Sequence, residues 1–131
     1  MNILVGYNGS NESKDALRLA QKHAKGLGAK IEVATAINRW DPLDYHKIQE
    51  VEQELDWGVK EVLNEDSVFY ETHLLVNDSS PGDQLVKFAE RYHVDEIIIG
   101  TPKRSRVRKL LFGSTAQYIV LNAPCPVVTV N

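Results

Sequence analysis

The chain contains one cysteine and one methionine in 131 residues. One thiol cannot close an internal disulfide, so the fold must stand on its core, and Cys125 fits a reducing compartment better than a secreted scaffold. No apolar run approaches the ~20 residues a membrane span needs. The opening stretch Met1, Asn2, Ile3, Leu4, Val5, Gly6 has no basic segment before it and is too short for a signal peptide. The expected location is therefore the cytoplasm, with no membrane partner. There is no repeat, no low-complexity tract and no linker, which leaves one domain over residues 1–131.

A strong net charge is also lacking, since 15 basic residues face 18 acids. The balance of −3 hides two unlike regions. Nine acids against Lys47 and Lys60 put −7 between Asp41 and Asp66, leaving +4 for the rest. Lys103, Arg104, Arg106, Arg108 and Lys109 then concentrate five basic residues in seven positions. A duplex binder needs a broad basic face, so nucleic acid is not an expected partner, whereas one dense basic loop suits a compact anion. The acidic segment reads most simply as a solvated helix face.

What is present is periodicity. Ile3 to Tyr7 is a continuous apolar run, the pattern of a strand buried on both faces, ended by Asn8-Gly9-Ser10. Ser10 can cap a helix whose stripe is Ala16, Leu17, Ala20, Ala24 and Leu27, stopped by Gly26 and Gly28. Ile31 to Ile37 predicts a second strand, and Ile48, Val51, Leu55, Val59 and Val62 follow helical steps. Val68 to Val76 predicts a third strand. Ser80-Pro81 with Asp83 opens a helix striped by Leu85, Val86, Phe88, Ala89 and Tyr92. Ile97-Ile98-Ile99 runs into Gly100, a loop covers Thr101 to Phe112, and Ser114 with Gln117 suggests a capping box for a helix to Asn122. Val127 to Val130 closes the chain as a strand.

Strict alternation of strand and helix argues an α/β fold, a parallel sheet with helices on both faces joined by right-handed crossovers. Ligands of such sheets bind beyond the carboxyl ends of the strands, where strand order reverses, which selects Tyr7, Asn8 and Gly9 and the segment from Gly100 onward. Gly113, Ser114 and Thr115 opening a helix supply backbone N–H groups and hydroxyls suited to phosphate. A glycine before a capped helix is also ordinary architecture, so this feature leaves both readings open. His23, His46, His73 and His93 lack the spacing of a metal site and read as solvated or capping residues, with no metal expected from them. Cys125, between two prolines, reads as a small buried hydrophobe. No nucleophile elbow, full Walker sequence or dinucleotide fingerprint occurs, so no catalytic residue is assigned.

Ile97-Ile98-Ile99-Gly100, then Leu110-Leu111-Phe112-Gly113-Ser114, then Ala123-Pro124-Cys125-Pro126-Val127-Val128 resemble the universal stress protein family, as does the opening Ile3 to Ser10. The resemblance implies a single three-layer domain with strand order 3-2-1-4-5, of the adenine nucleotide alpha hydrolase-like type. It also implies a homodimer and a role in the stress response. Many members bind ATP through glycine, two residues, glycine, nine residues, glycine, then serine or threonine, and others lack the pattern. Here Lys103 stands at the second glycine, and Asn8 stands where nucleotide-binding members usually carry aspartate. Carried over, the nucleotide-binding set is Tyr7, Asn8, Ala36, Ile99, Gly100, Lys103, Gly113, Ser114, Thr115 and Ala116, with Ala36 against the adenine.

Three functions follow as expectations. The first is a non-enzymatic stress-response module that binds ATP with Mg²⁺ over strands one and four. The second is a nucleotide-independent dimer acting through protein contacts, paired through its terminal strand Val127 to Val130. The third is a slow ATPase.

Overall fold

The computed structural model describes residues 1–41, 44–64, 68–102 and 113–131. The elements run β1 (Asn2–Gly6), α1 (Asn11–Leu27), β2 (Lys30–Asn38), α2 (Tyr45–Gln53), a π-helical turn (Glu54–Gly58), α3 (Val59–Val62), β3 (Tyr70–Asn77), α4 (Pro81–Arg91), β4 (Glu96–Gly100), α5 (Ser114–Asn122) and β5 (Val127–Val130). All described strand pairs are parallel, and the sheet order is β3-β2-β1-β4-β5. The order reverses at β1, whose Leu4 lies opposite Glu32 of β2 on one side and Ile97 of β4 on the other.

Two apolar layers fill the faces of the sheet. On one, Ile3, Val5, Ile31, Val33 and Ile98 pack with Ala16, Leu17 and Ala20 of α1 and with Leu55 and Val59. On the other, Leu4, Ala34, Ile97 and Ile99 pack with Leu85, Val86, Phe88 and Ala89 of α4 and with Ala116 and Ile119 of α5. Alternation along each strand sends successive side chains to opposite layers, which is why the central strands read as unbroken apolar runs. Ile3, Leu4, Ile31, Ile97 and Ile98 are fully buried, each contributing roughly 1.5–3 kcal/mol of transfer free energy.

The caps follow the local sequence in α1 and α4. The Ser10 hydroxyl accepts the Ser13 amide, Gly28 closes α1 in the left-handed region, and the Ser80 hydroxyl accepts the Asp83 amide with Pro81 at the first helical position. Four sequence expectations shift. Leu27 and Tyr92 are exposed and leave their stripes, because each sits at a helix end beyond the reach of the sheet. The third strand starts at Tyr70, two residues later than the pattern suggests, and it is only half-buried because β3 is an edge. The helix carrying Ile48 to Val62 is interrupted by the π turn at Glu54–Gly58. Ser114 is not a cap: Gly113 occupies that position in extended conformation, and its carbonyl accepts the Gln117 amide.

Candidate functional site

The chain leaves β1 at Gly6 and turns through Tyr7, Asn8 and Gly9 into α1. Gly9 has φ +82°, a conformation that favours glycine. The Asn8 Oδ1 accepts the Ser10 amide at 3.0 Å, which ties the side chain into the turn. Tyr7 is 3% exposed. Its amide donates to the Ala34 carbonyl, its carbonyl accepts the Thr35 hydroxyl at 2.7 Å, and its phenol donates to Glu54 Oε1 at 2.8 Å. Burial, and then the Glu54 carboxylate, push the Tyr7 pKa well above the ordinary phenol range. Glu54 also lies 3.6 Å from the Lys14 ammonium.

This contact explains the π turn. A Cβ on Gly58 would collide with the Tyr7 phenol and stand 2.7 Å from Glu54 Oε1. The widened turn and a bare Cα at position 58 let Glu54 reach Tyr7 in the turn after β1, a use of π-helical geometry typical of functional regions.

At the carboxyl end of β4, Gly100 meets the start of α1. A Cβ there would collide with the Glu12 carbonyl group and lie 2.7 Å from the Ser13 amide nitrogen. The glycine is thus required by helix-to-strand packing, a reason the sequence alone does not reveal. Gly82 does the same for α5, since its Cβ would stand 3.0 Å from Tyr118 Cβ. The Tyr118 phenol donates to Asp83 Oδ1 at 2.9 Å, fastening α5 to α4.

These close approaches leave a cleft of about 380 Å³ over the carboxyl ends of β1 and β4. Its walls include Tyr7, Asn8, Ala36, Ile99, Gly100, Gly113, Ser114, Thr115 and Ala116, so nine of the ten residues selected from the sequence share one space. Lys103, and with it the basic run from 103 to 109, lies outside the described residues. Gly6, Ser13, Ala34, Pro81, Leu85 and Pro102 also line the cleft and were not selected. Gly6 and Pro102 adjoin chosen residues, whereas Ser13, Pro81 and Leu85 come from helices whose approach only the packing decides. A second cleft of about 310 Å³ shares Tyr7 and Asn8 and adds Thr35, Lys47, Glu50, Val51 and Glu54.

With Gly113 as the cap, the first turn of α5 receives no side-chain capping bond. Its leading N–H groups have no intrahelical acceptor, and Ser114 and Thr115 carry their hydroxyls within that turn rather than before it. The arrangement is a helix terminus with open N–H groups, a geometry suited to anions, facing a cleft at the reversal of strand order.

The sequence profile of the Universal stress protein family matches residues 1–131. The chain belongs to this family. A universal stress protein of Methanocaldococcus jannaschii is 27% identical over 140 residues, spanning 98% of this chain and 81% of its own length. One from Thermus aquaticus is 29% identical over 137 residues, spanning 98% and 97%. Among solved structures, a universal stress protein from Archaeoglobus fulgidus superposes with a TM-score of 0.87 at 29% identity, covering all of this chain and 93% of that one. A structure of the universal stress protein from the same organism in complex with dAMP gives 0.82 at 26% identity, covering 100% and 98%. These neighbours share the universal stress protein fold found here, with five parallel strands in the order 3-2-1-4-5.

Proposed function

We propose that residues 1–131 form one cytoplasmic universal stress protein domain that binds an adenine nucleotide, ATP with Mg²⁺ included, without turning it over. The observation that carries this reading is the uncapped first turn of α5, with Ser114 and Thr115 facing the same cleft as Gly100, Asn8 and Ala36. A phosphate suits the N–H groups of Ser114, Thr115 and Ala116, and the two hydroxyls are oxygen partners for the Mg²⁺ that accompanies ATP. Ala36 and Ile99 present a small apolar wall to a base. The dAMP complex of the Archaeoglobus fulgidus protein, 26% identical to this chain, supports the ligand class.

Calorimetric titration with ATP and Mg²⁺, repeated with AMP and dAMP, tests the reading. The expected result is saturable heat and a raised melting temperature. No heat and no stabilisation at millimolar ligand would overturn it. Turnover above background that disappears in Ser114→Ala would overturn the non-enzymatic part.

A second reading, a dimer that works through protein contacts without nucleotide, is favoured by two observations. Asn8 stands in place of a carboxylate and commits its oxygen to the turn, and β5 is an edge strand of the sheet, while Val120 and Leu121 of α5 are exposed. On this reading Lys103→Gly creates ATP binding that the parent lacks. Homodimerisation through Val127 to Val130 is common to both readings, and a monomeric mass by sedimentation at micromolar concentration would contradict it.

A further inference from the structure

We propose that Glu32, Glu71 and His73 form a site for a divalent transition metal of the zinc class, at the β2–β3 edge of the sheet and separate from the nucleotide cleft. The parallel register sets Glu32 opposite Glu71 and Ala34 opposite His73. Side chains two apart on a strand share a face, so Glu71 and His73 project together beside Glu32 of the neighbouring strand. The three ligand atoms lie within 4.8 Å of one another, the one such grouping among the described residues. Tetrahedral ligands at zinc distances stand roughly 3.4 Å apart, so closing the site takes rotamer adjustment and no backbone movement.

The surroundings favour a cation. Glu32 is 7% exposed and anchored on a central strand. The His73 ring lies against Phe88 of α4 with centroids 4.9 Å apart, which restrains its orientation, and its Nε2 is 2.5 Å from Glu32 Oε2. A positive group already occupies the space: the Lys30 ammonium bridges Glu32 Oε1 at 2.8 Å and Glu71 Oε1 at 2.6 Å. Lys30 is half-exposed on a long flexible stem and can withdraw to water, while Glu71, 61% exposed at its side chain, leaves the metal a route in. One imidazole nitrogen and two carboxylate oxygens match the donors zinc accepts, with a fourth position open to water. Lys30 then acts as a built-in competitor that lowers metal affinity and confers a threshold on it.

Titration of chelator-treated full-length protein with Zn²⁺, and with Co²⁺ for its absorption bands, tests the site. The expected result is one saturable equivalent with a tetrahedral-type Co²⁺ spectrum and perturbed His73 ring resonances. Glu71→Gln, on an exposed side chain that the fold does not need, should weaken binding at least about tenfold, and His73→Gln by about a hundredfold. Lys30→Met should strengthen it about tenfold by removing the competitor. No saturable binding by the parent overturns the proposal, even where Lys30→Met binds. So does parent binding that survives both Glu71→Gln and His73→Gln and is lost instead in His23→Gln, His46→Gln or His93→Gln.

Discussion

Toward the carboxyl ends of β1, β2 and β4 the sheet presents Gly6, Ala34, Ala36 and Gly100, while earlier along β2 and β3, on the face shared by Ala34 and Ala36, stand Glu32, Glu71 and His73, with Lys30 bridging the two carboxylates. The first region is made of absent side chains. Backbones approach closely, and the start of α5 has no side-chain cap, so its leading main-chain donors stay open to the cleft. In the second region the charges meet one another, so every carboxylate of the group has a partner inside the fold. One end leaves backbone groups open to the cleft, and in the other the carboxylates are already paired with a lysine from the same sheet.

The largest expected effect comes from filling the first region. Gly100→Ala drives a methyl group into the Glu12 backbone, so stability by chemical denaturation should fall by about 3 kcal/mol, with α1 displaced and the cleft altered. A fully stable Gly100→Ala would break the view that close approach shapes the cleft.

Next is Tyr7→Phe, which removes the bond to Glu54 and should cost about 1 kcal/mol at neutral pH. The phenol pKa is raised in the folded state, so its contribution is complete below the ordinary value of 10.0 and is lost as pH climbs from there toward the folded value. The stability of the parent should therefore decline above pH 10 while Tyr7→Phe declines less, and the two denaturation midpoints should converge.

Ser10→Ala, which uncaps α1, should likewise cost about 1 kcal/mol by the same measurement. Ser114→Ala should by contrast leave the denaturation midpoint unchanged, because Gly113 is the cap, and lower nucleotide affinity about tenfold in the calorimeter. Equal losses of stability in the two serine variants would erase the distinction between a capped and an open helix start. The smallest effect on stability belongs to Glu71→Gln, whose exposed pairing with Lys30 water can replace, and its melting curve should overlay that of the parent in the absence of metal.

Much of the fold was legible in the chain because the signals are local. The apolar runs at Ile3 to Tyr7 and Ile97 to Ile99, and the caps at Ser10 and Ser80-Pro81, act within a few residues of themselves. The clustering around Asn8, Gly100 and Gly113 was legible from topology and from family resemblance. Three features were not. The Gly113 cap differs by one residue from the expected capping box, and α5 is held to α4 by the close approach of Gly82 to Tyr118 and the Tyr118–Asp83 bond, neither of which is local. The π turn answers to Tyr7, 47 residues away from Glu54. His73 read as a solvated or capping residue because its partner Glu32 lies 41 residues earlier, across a strand pairing that linear spacing cannot register.

The sequence by itself determined the order of strands and helices, the buried central strands and the glycine positions, because backbone preference and hydrophobic period operate at short range. Only the tertiary structure decided what the glycines are for, which polar groups meet across the sheet and which helix terminus stays open. Those outcomes depend on distances between elements remote in sequence, set by how the two apolar layers close on the sheet.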